Sequence, residues 1–305
     1  MKINDLMKHR SVTSCMKEAY CLMSNNTTEL LKSTWWAFVT YAFMLAFMIY
    51  LRTPNKTLHD WGEENMMLSF CLQTIVYLGA IIAAFLTGAT VWCWITDKPF
   101  VCILKRSITM YLLSGIASIV VVFVATIAFA GVSLMTGNTA TVDSPSLTTL
   151  LLYALTIAIA IVLYMVACLP FAYMSPRYIL LENGEKFRLW KSFKCGIRNM
   201  GSIFKLGILG FLVILVTSIP IYMPLSFLIG AQVTAQLGTL EGDTVGIPSY
   251  FTFLFIATTT LLLFVFTYIT HWLLISYVYL YGSIENDEMK KAELRKKEKE
   301  ENIKE

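Results

Sequence analysis

The sequence predicts an all-α fold: a polytopic membrane helix bundle with six transmembrane helices and amphipathic helices on the cytoplasmic side. Three observations predict it. Apolar residues make up 57% of the chain and charged residues only 14%, against a usual charged share of about 25%. The charges are bunched, leaving six windows without any Asp, Glu, Lys or Arg: 33–51, 65–96, 107–142, 144–176, 206–240 and 244–284. Nearly all the basic residues then fall on one side of the implied topology. A helix needs about 20 apolar residues to cross a bilayer, and each window has room for one. This excludes a soluble globular enzyme, a disordered chain and a secreted disulfide domain. It also excludes an outer-membrane barrel, whose strands would alternate polar and apolar residues.

Residues 1–34 read as a cytoplasmic lead. Within Ser14–Leu31, the residues Cys15, Met16, Ala19, Tyr20, Leu22 and Met23 give a partly apolar helical face ahead of Trp35-Trp36. No short cleavable apolar segment precedes the first span. The membrane domain, 35–283, carries spans expected at 35–52, 67–95, 109–135, 148–174, 204–229 and 250–281. Strands are excluded there because lipid cannot satisfy an open sheet edge. Span two has rows of small residues (Gly79, Ala83, Thr87 and Ala80, Ala84, Gly88) that let helices approach closely. These suit packing within one chain better than a dimer face. A short surface piece, Lys98–Ser107, leads into span three. Pro170 is expected to kink span four near its inner end. Pro220 and Pro224 lack amide donors and are expected to close span five. The run Thr258–Thr260 in span six is expected to bond back to its own helix carbonyls.

Between spans four and five lies the clearest amphipathic segment, expected as an interfacial helix over 185–203. Phe187, Trp190, Phe193, Ile197, Met200 and Phe204 recur at spacings that define one helical face, and Asn183-Gly184 supplies a turn ahead of it. Lys186, Arg188, Lys191 and Arg198 occupy much of the remainder. Such a helix lies in the interface, with its cations among lipid phosphates. These four residues are the candidate headgroup contacts. The tail, 284–305, alternates acid and base with almost nothing apolar, so it is expected as a solvated helix or a disordered charged segment.

Orientation follows from the cations. Of the 24 Lys and Arg residues, all but Arg52 and Lys56 fall in the lead, the 98–106 loop, the 177–205 stretch or the tail. The positive-inside rule then puts both termini in the cytoplasm, in a cytoplasmic (inner) membrane. The net charge of +4 is thus a topology signal and gives no reason to expect nucleic acid. None of the seven cysteines falls in an outer loop, which fits reduced thiols. The chain also divides into three hairpins, 11–96, 97–176 and 177–284. They would be parallel repeats, although any six-span protein divides in this way.

The stretch beginning at Tyr173, "YMSPRYILLENGEKFRLWKSFKCGIRNMGSIFKLGILGFLV", resembles bacterial six-span proteins related to the membrane domain found beside glycerophosphodiester phosphodiesterases. The lead, "MKEAYCLMSNNTTELLKSTWWAFVTYAFM", is similar to that family's first unit. The resemblance implies a six-span fold and a cytoplasmic-membrane home. The chain has no soluble phosphodiesterase region, so the resemblance implies no hydrolase activity.

Chemistry-bearing groups are few. The spans contain no mid-membrane carboxylate or Lys/Arg of the kind that marks ion-coupled carriers. His271, beside Trp272, is the one candidate intramembrane polar site, and its place near the inner boundary favours packing over catalysis. His59-Asp60 with Glu63-Glu64 reads as a solvated acidic loop. No phosphate-binding Gly loop, nucleophile elbow or metal-ligand helix occurs, so no catalytic residue, cofactor or metal is expected. The sequence points to a non-enzymatic integral protein of the cytoplasmic membrane, a lipid-associated scaffold or accessory factor. The alternative is a permease or channel-like component for a small or lipidic solute. The expected partners are anionic membrane lipids, with a second copy or another membrane protein also open.

Overall fold

The computed structural model describes residues 6–53, 61, 62, 64–135, 147–181, 187–241, 248 and 250–304. Helices run α1 Val12–Asn25, α2 Thr27–Arg52, α3 Met66–Thr96, α4 Phe100–Met135, α5 Leu147–Leu180, α6 Leu189–Arg198, α7 Met200–Leu240 and α8 Phe251–Lys304. Among the described residues no strand occurs. Six of these helices, α2 to α5, α7 and α8, are long and apolar enough to cross a membrane. The fold is an all-helical polytopic membrane protein.

Local chemistry sets the breaks. Ser11 caps α1, its Oγ accepting from the Ser14 amide at 3.3 Å. At Asn26 the chain leaves the helical region, and the Asn26 side chain donates to the Leu22 carbonyl at 2.9 Å. Thr53 closes α2 by donating both its amide and its hydroxyl to the Ile49 carbonyl. Asp97 ends α3 in the left-handed region, with φ 54°, before Lys98-Pro99. A short polar side chain tolerates that conformation, and proline cannot continue the helix.

Several helices outrun the expected spans. The surface piece Lys98–Ser107 is largely the start of α4. Pro220 and Pro224 lie inside α7, which continues for 41 residues to Leu240. At 1.5 Å per residue that is about 60 Å, roughly twice the hydrocarbon thickness. Nearby, Thr217 donates to the Val213 carbonyl at 2.8 Å and Ser218 to the Leu215 carbonyl at 2.7 Å, so these hydroxyls are satisfied within their own helix. The tail is helical to Lys304, as an unbroken extension of α8. The expected interfacial helix 185–203 is shorter: α6 ends at Asn199 and the residues beyond belong to α7, while 182–186 lie outside the described residues.

The chain forms two compact units: the described residues of 1–6, 10–104 and 206–279, and those of 7–9, 105–205 and 280–305. In the first, α2 packs along α3. Ala42 and Ala46 of α2 are fully buried, as are Ala83 and Thr87 of α3 nearly so. A Cβ on Gly79 would sit 3.2 Å from the Met44 sulfur, so the small-residue row meets α2 of the same chain. The Trp272 indole donates to the Met16 carbonyl at 3.1 Å, pinning α1 to α8. Burial pushes the Cys15 thiol up to about 11, with Arg10 pulling the other way, which keeps it a protonated packing group at neutral pH.

In the second unit, α6 lies against α5 with Ser192 and Gly196 inward. A Cβ on Gly196 would fall 3.0 Å from Pro170 Cα and Cβ and 3.1 Å from its carbonyl oxygen. Arg106 of α4 donates to the carbonyls of Ile179 at 3.1 Å and Leu181 at 2.5 Å. A cation thus caps the C-terminal end of α5, where carbonyls lack helical partners. His9 joins the tail through Asp287 at 2.9 Å.

The surface itself requires hydrocarbon. On α4, Ile119 is 69% and Phe123 65% exposed, and Leu155, Ile159 and Val162 of α5 are exposed as well. Water-soluble monomers rarely show contiguous apolar patches beyond a few hundred Å². Faces of this kind belong in a bilayer, so the chain is a multi-pass membrane protein.

Replacing Gly196 by Val should cost about 1–3 kcal/mol through overpacking against the Pro170 backbone. Thermal unfolding of detergent-purified protein should show a lowered midpoint. Gly201→Ala, where a Cβ meets nothing within 4 Å, should leave it unchanged.

Candidate functional site

Charge kept out of the spans collects at helix ends. In the second unit, three segments bring it together: the last turns of α5, all of α6 and the charged extension of α8. They enclose an open cavity of about 630 Å³. Its walls carry six cations, Arg177, Lys191, Lys194, Arg198, Lys291 and Arg295, against two carboxylates, Glu285 and Glu288.

The spacing explains the convergence. On α8, residues 285, 288, 292 and 295 recur at three and four, which is one helical face. On α6, residues 191, 194, 195 and 198 do the same, on the side away from the inward pair Ser192 and Gly196. The Gly196 contact with Pro170 brings that strip of cations close to the end of α5.

One wall is a hydrogen-bonded relay. Arg177 Nη1 donates to Tyr173 Oη at 3.0 Å, and Tyr173 Oη donates to Glu285 Oε2 at 2.7 Å. The second guanidinium nitrogen lies 3.7 Å from Glu285 Oε1. Tyr173 is 1% exposed and its ring meets that of Tyr281 at 5.4 Å, tilted by 50°, so this corner is well packed. Arg198 pairs with Glu288, whose other oxygen lies 3.6 Å from Lys291 Nζ. Among the described residues Lys191, Lys194 and Arg295 make no ion pair. Half of the cup's cations are thus engaged with acids, and the other half line it without an ion pair among the described residues.

The residues singled out from sequence separate here. Lys191 and Arg198 line the cup. Arg188 precedes α6, where its carbonyl accepts from the Ser192 amide and hydroxyl at 3.0 Å each, and its side chain is exposed outside the cup. Lys186 lies outside the described residues, as do His59, Asp60 and Glu63. His271 is a packing residue of the first unit. Its Nδ1 donates to the Thr267 carbonyl at 2.8 Å, and its ring lies 4.7 Å from that of Phe38. Tyr268 in the same layer meets Thr34 at 3.0 Å. Among the described residues no group of His, Cys, Asp and Glu is placed to hold a metal.

Lys194, Arg295 and the Tyr173 relay escaped the sequence reading. The three-and-four spacing of the tail was visible, but a polar segment with both signs of charge reads as solvated. Nothing in the spacing tells which element it faces.

The first unit holds a second cavity, about 740 Å³, lined by apolar side chains including Tyr20, Met23, Leu31, Val213, Phe264 and Trp272. Lys17 is the one charged residue on its wall. The two cavities thus differ in kind: one apolar, one strongly cationic.

The structure defines a six-span, all-helical membrane protein with a cationic cup at the charged ends of its helices. Comparison with protein-family models, curated proteins and solved structures finds no match in any of the three.

Removing the Tyr173 hydroxyl should destabilise this corner. A hydrogen bond to a charged group contributes about 1.5–3 kcal/mol, so Tyr173→Phe should lower the unfolding midpoint of the purified protein. In combination with Glu285→Gln the loss should be smaller than the sum of the two single effects. Strict additivity would show that the relay does not couple them.

Proposed function

We propose that this protein is a non-enzymatic, lipid-associated factor of the cytoplasmic membrane, a scaffold or accessory subunit whose basic side holds anionic lipid headgroups. The single observation that carries the reading is the cup: three cations, Lys191, Lys194 and Arg295, that make no ion pair among the described residues, on two helices of a membrane-spanning protein. Trp190, 79% exposed on α6 beside Lys191, supports it. An indole next to cations is the usual furniture of a membrane–water boundary. The resemblance to the six-span membrane domains noted above belongs to the same proposal. So does orientation: with the cations on the cytoplasmic side, the cup opens toward the anionic leaflet.

Cations near a membrane surface contribute about 1 kcal/mol each, or roughly fivefold in lipid affinity. Changing Lys186, Arg188, Lys191 and Arg198 together to Gln should therefore strip most of the anionic lipid that co-purifies with the gently extracted protein, as read by native mass spectrometry. Undiminished anionic lipid would refute the headgroup role.

Sidedness has its own check. A tag fused after Glu305 should be labelled only once cells are opened. Labelling on intact cells would reverse the orientation.

A further inference from the structure

We infer that the cup is a binding site for a phosphomonoester, with Lys194 of α6 and Arg295 of α8 as binding residues beside Lys191. This rests on the lipid reading above and names the chemical class of headgroup. The ligand must enter a concavity of about 630 Å³, so it is a compact group rather than a flat sheet of headgroups. The three cations with no ion pair among the described residues come from two separate helices and line one volume, a geometry that rewards a ligand offering oxygens in several directions. A terminal phosphate presents three such oxygens and carries about −1.5 to −2 at neutral pH. A phosphodiester carries a single charge and fewer free oxygens, so it leaves part of the cationic wall unanswered. Arg295 adds the planar fork that suits two phosphate oxygens at once. The engaged half of the cup has a different task. Glu285 and Tyr173 hold Arg177 in place, and Glu288 holds Arg198 and Lys291. These pairs keep the cations assembled when the cup is empty, against their mutual repulsion.

The shared chemistry, a terminal phosphate, can come from a lipid or from a soluble ester, and two arms separate them. In the first, the full chain is placed in phosphatidylcholine nanodiscs with either phosphatidic acid or phosphatidylglycerol as the minor lipid, and lipid retained on the protein is measured. Phosphatidic acid should be retained more by roughly fivefold, the effect of about one extra charge. Lys194→Gln and Arg295→Gln should each lower phosphatidic acid retention more than phosphatidylglycerol retention, so that the preference is lost, and Arg295→Lys should restore part of it. In the second arm, inorganic phosphate and glycerol phosphate are titrated onto detergent-purified protein by calorimetry. Binding that Arg295→Gln abolishes supports the site and assigns it to a soluble ester. Silence there, with the lipid preference present, supports the site and assigns it to a headgroup. Equal retention of the two lipids with no soluble binding overturns the phosphomonoester site while the lipid reading stands. Retention of neither lipid, with no soluble binding, overturns both.

Discussion

Hydrocarbon as a solvent is the constraint on which everything else here depends. It forms no hydrogen bonds, so each spanning segment must satisfy its own backbone, and the helix is the one form that does so alone. It does not penalise exposed apolar side chains, so α4 and α5 can present Ile, Val, Leu and Phe outward without cost. Hydroxyls inside the spans meet the same demand: Thr217, Thr260 and Thr267 each donate back to a carbonyl four residues earlier. Even the two prolines of α7 yield to it. Leaving the helix inside lipid would strand a run of backbone groups, whereas staying in it forfeits only two amide bonds.

The same constraint concentrates charge. Lys and Arg excluded from the spans must sit at helix ends, and there they serve several purposes at once. Arg106 satisfies the terminal carbonyls of α5. Arg177 is locked by Tyr173 and Glu285. Both count as topology signals in the sequence, and both are also structural parts. A cation at the boundary thus orients the chain, caps a helix and builds a wall, because all three follow from where it is allowed to be.

What was legible in the sequence was what composition controls. The six spans announce themselves because a charge-free window has few alternative explanations. Their ends were harder. The expected interfacial helix 185–203 merges a periodicity that continues through Phe204 with a backbone that breaks at Asn199. A hydrophobic rhythm survives a change of helix direction, so it cannot locate one. Spacing put Trp190 and Ile197 on a face turned toward lipid, and both are exposed; what spacing did not mark is that the inward residues are Ser192 and Gly196. Close helix contact selects for small side chains, while the large apolar ones are left for lipid.

The cup was only half legible for a related reason. Lys191 and Arg198 stood out because they interrupt apolar residues, where a charge is conspicuous. Lys291 and Arg295 sit among acids and bases, where no single charge is conspicuous. What makes them matter is that α8 does not stop at the membrane boundary. The helix runs unbroken from Phe251 to Lys304, so its charged end is helical too. Helical order converts a composition that would be a loose cloud of charge into a wall with a fixed face. Glu285 and Glu288, on the first turns past the apolar stretch, fasten that wall to Arg177 and Arg198. The tail thus becomes part of a site through the helix it extends, and the carboxylates nearest the membrane decide which way it faces.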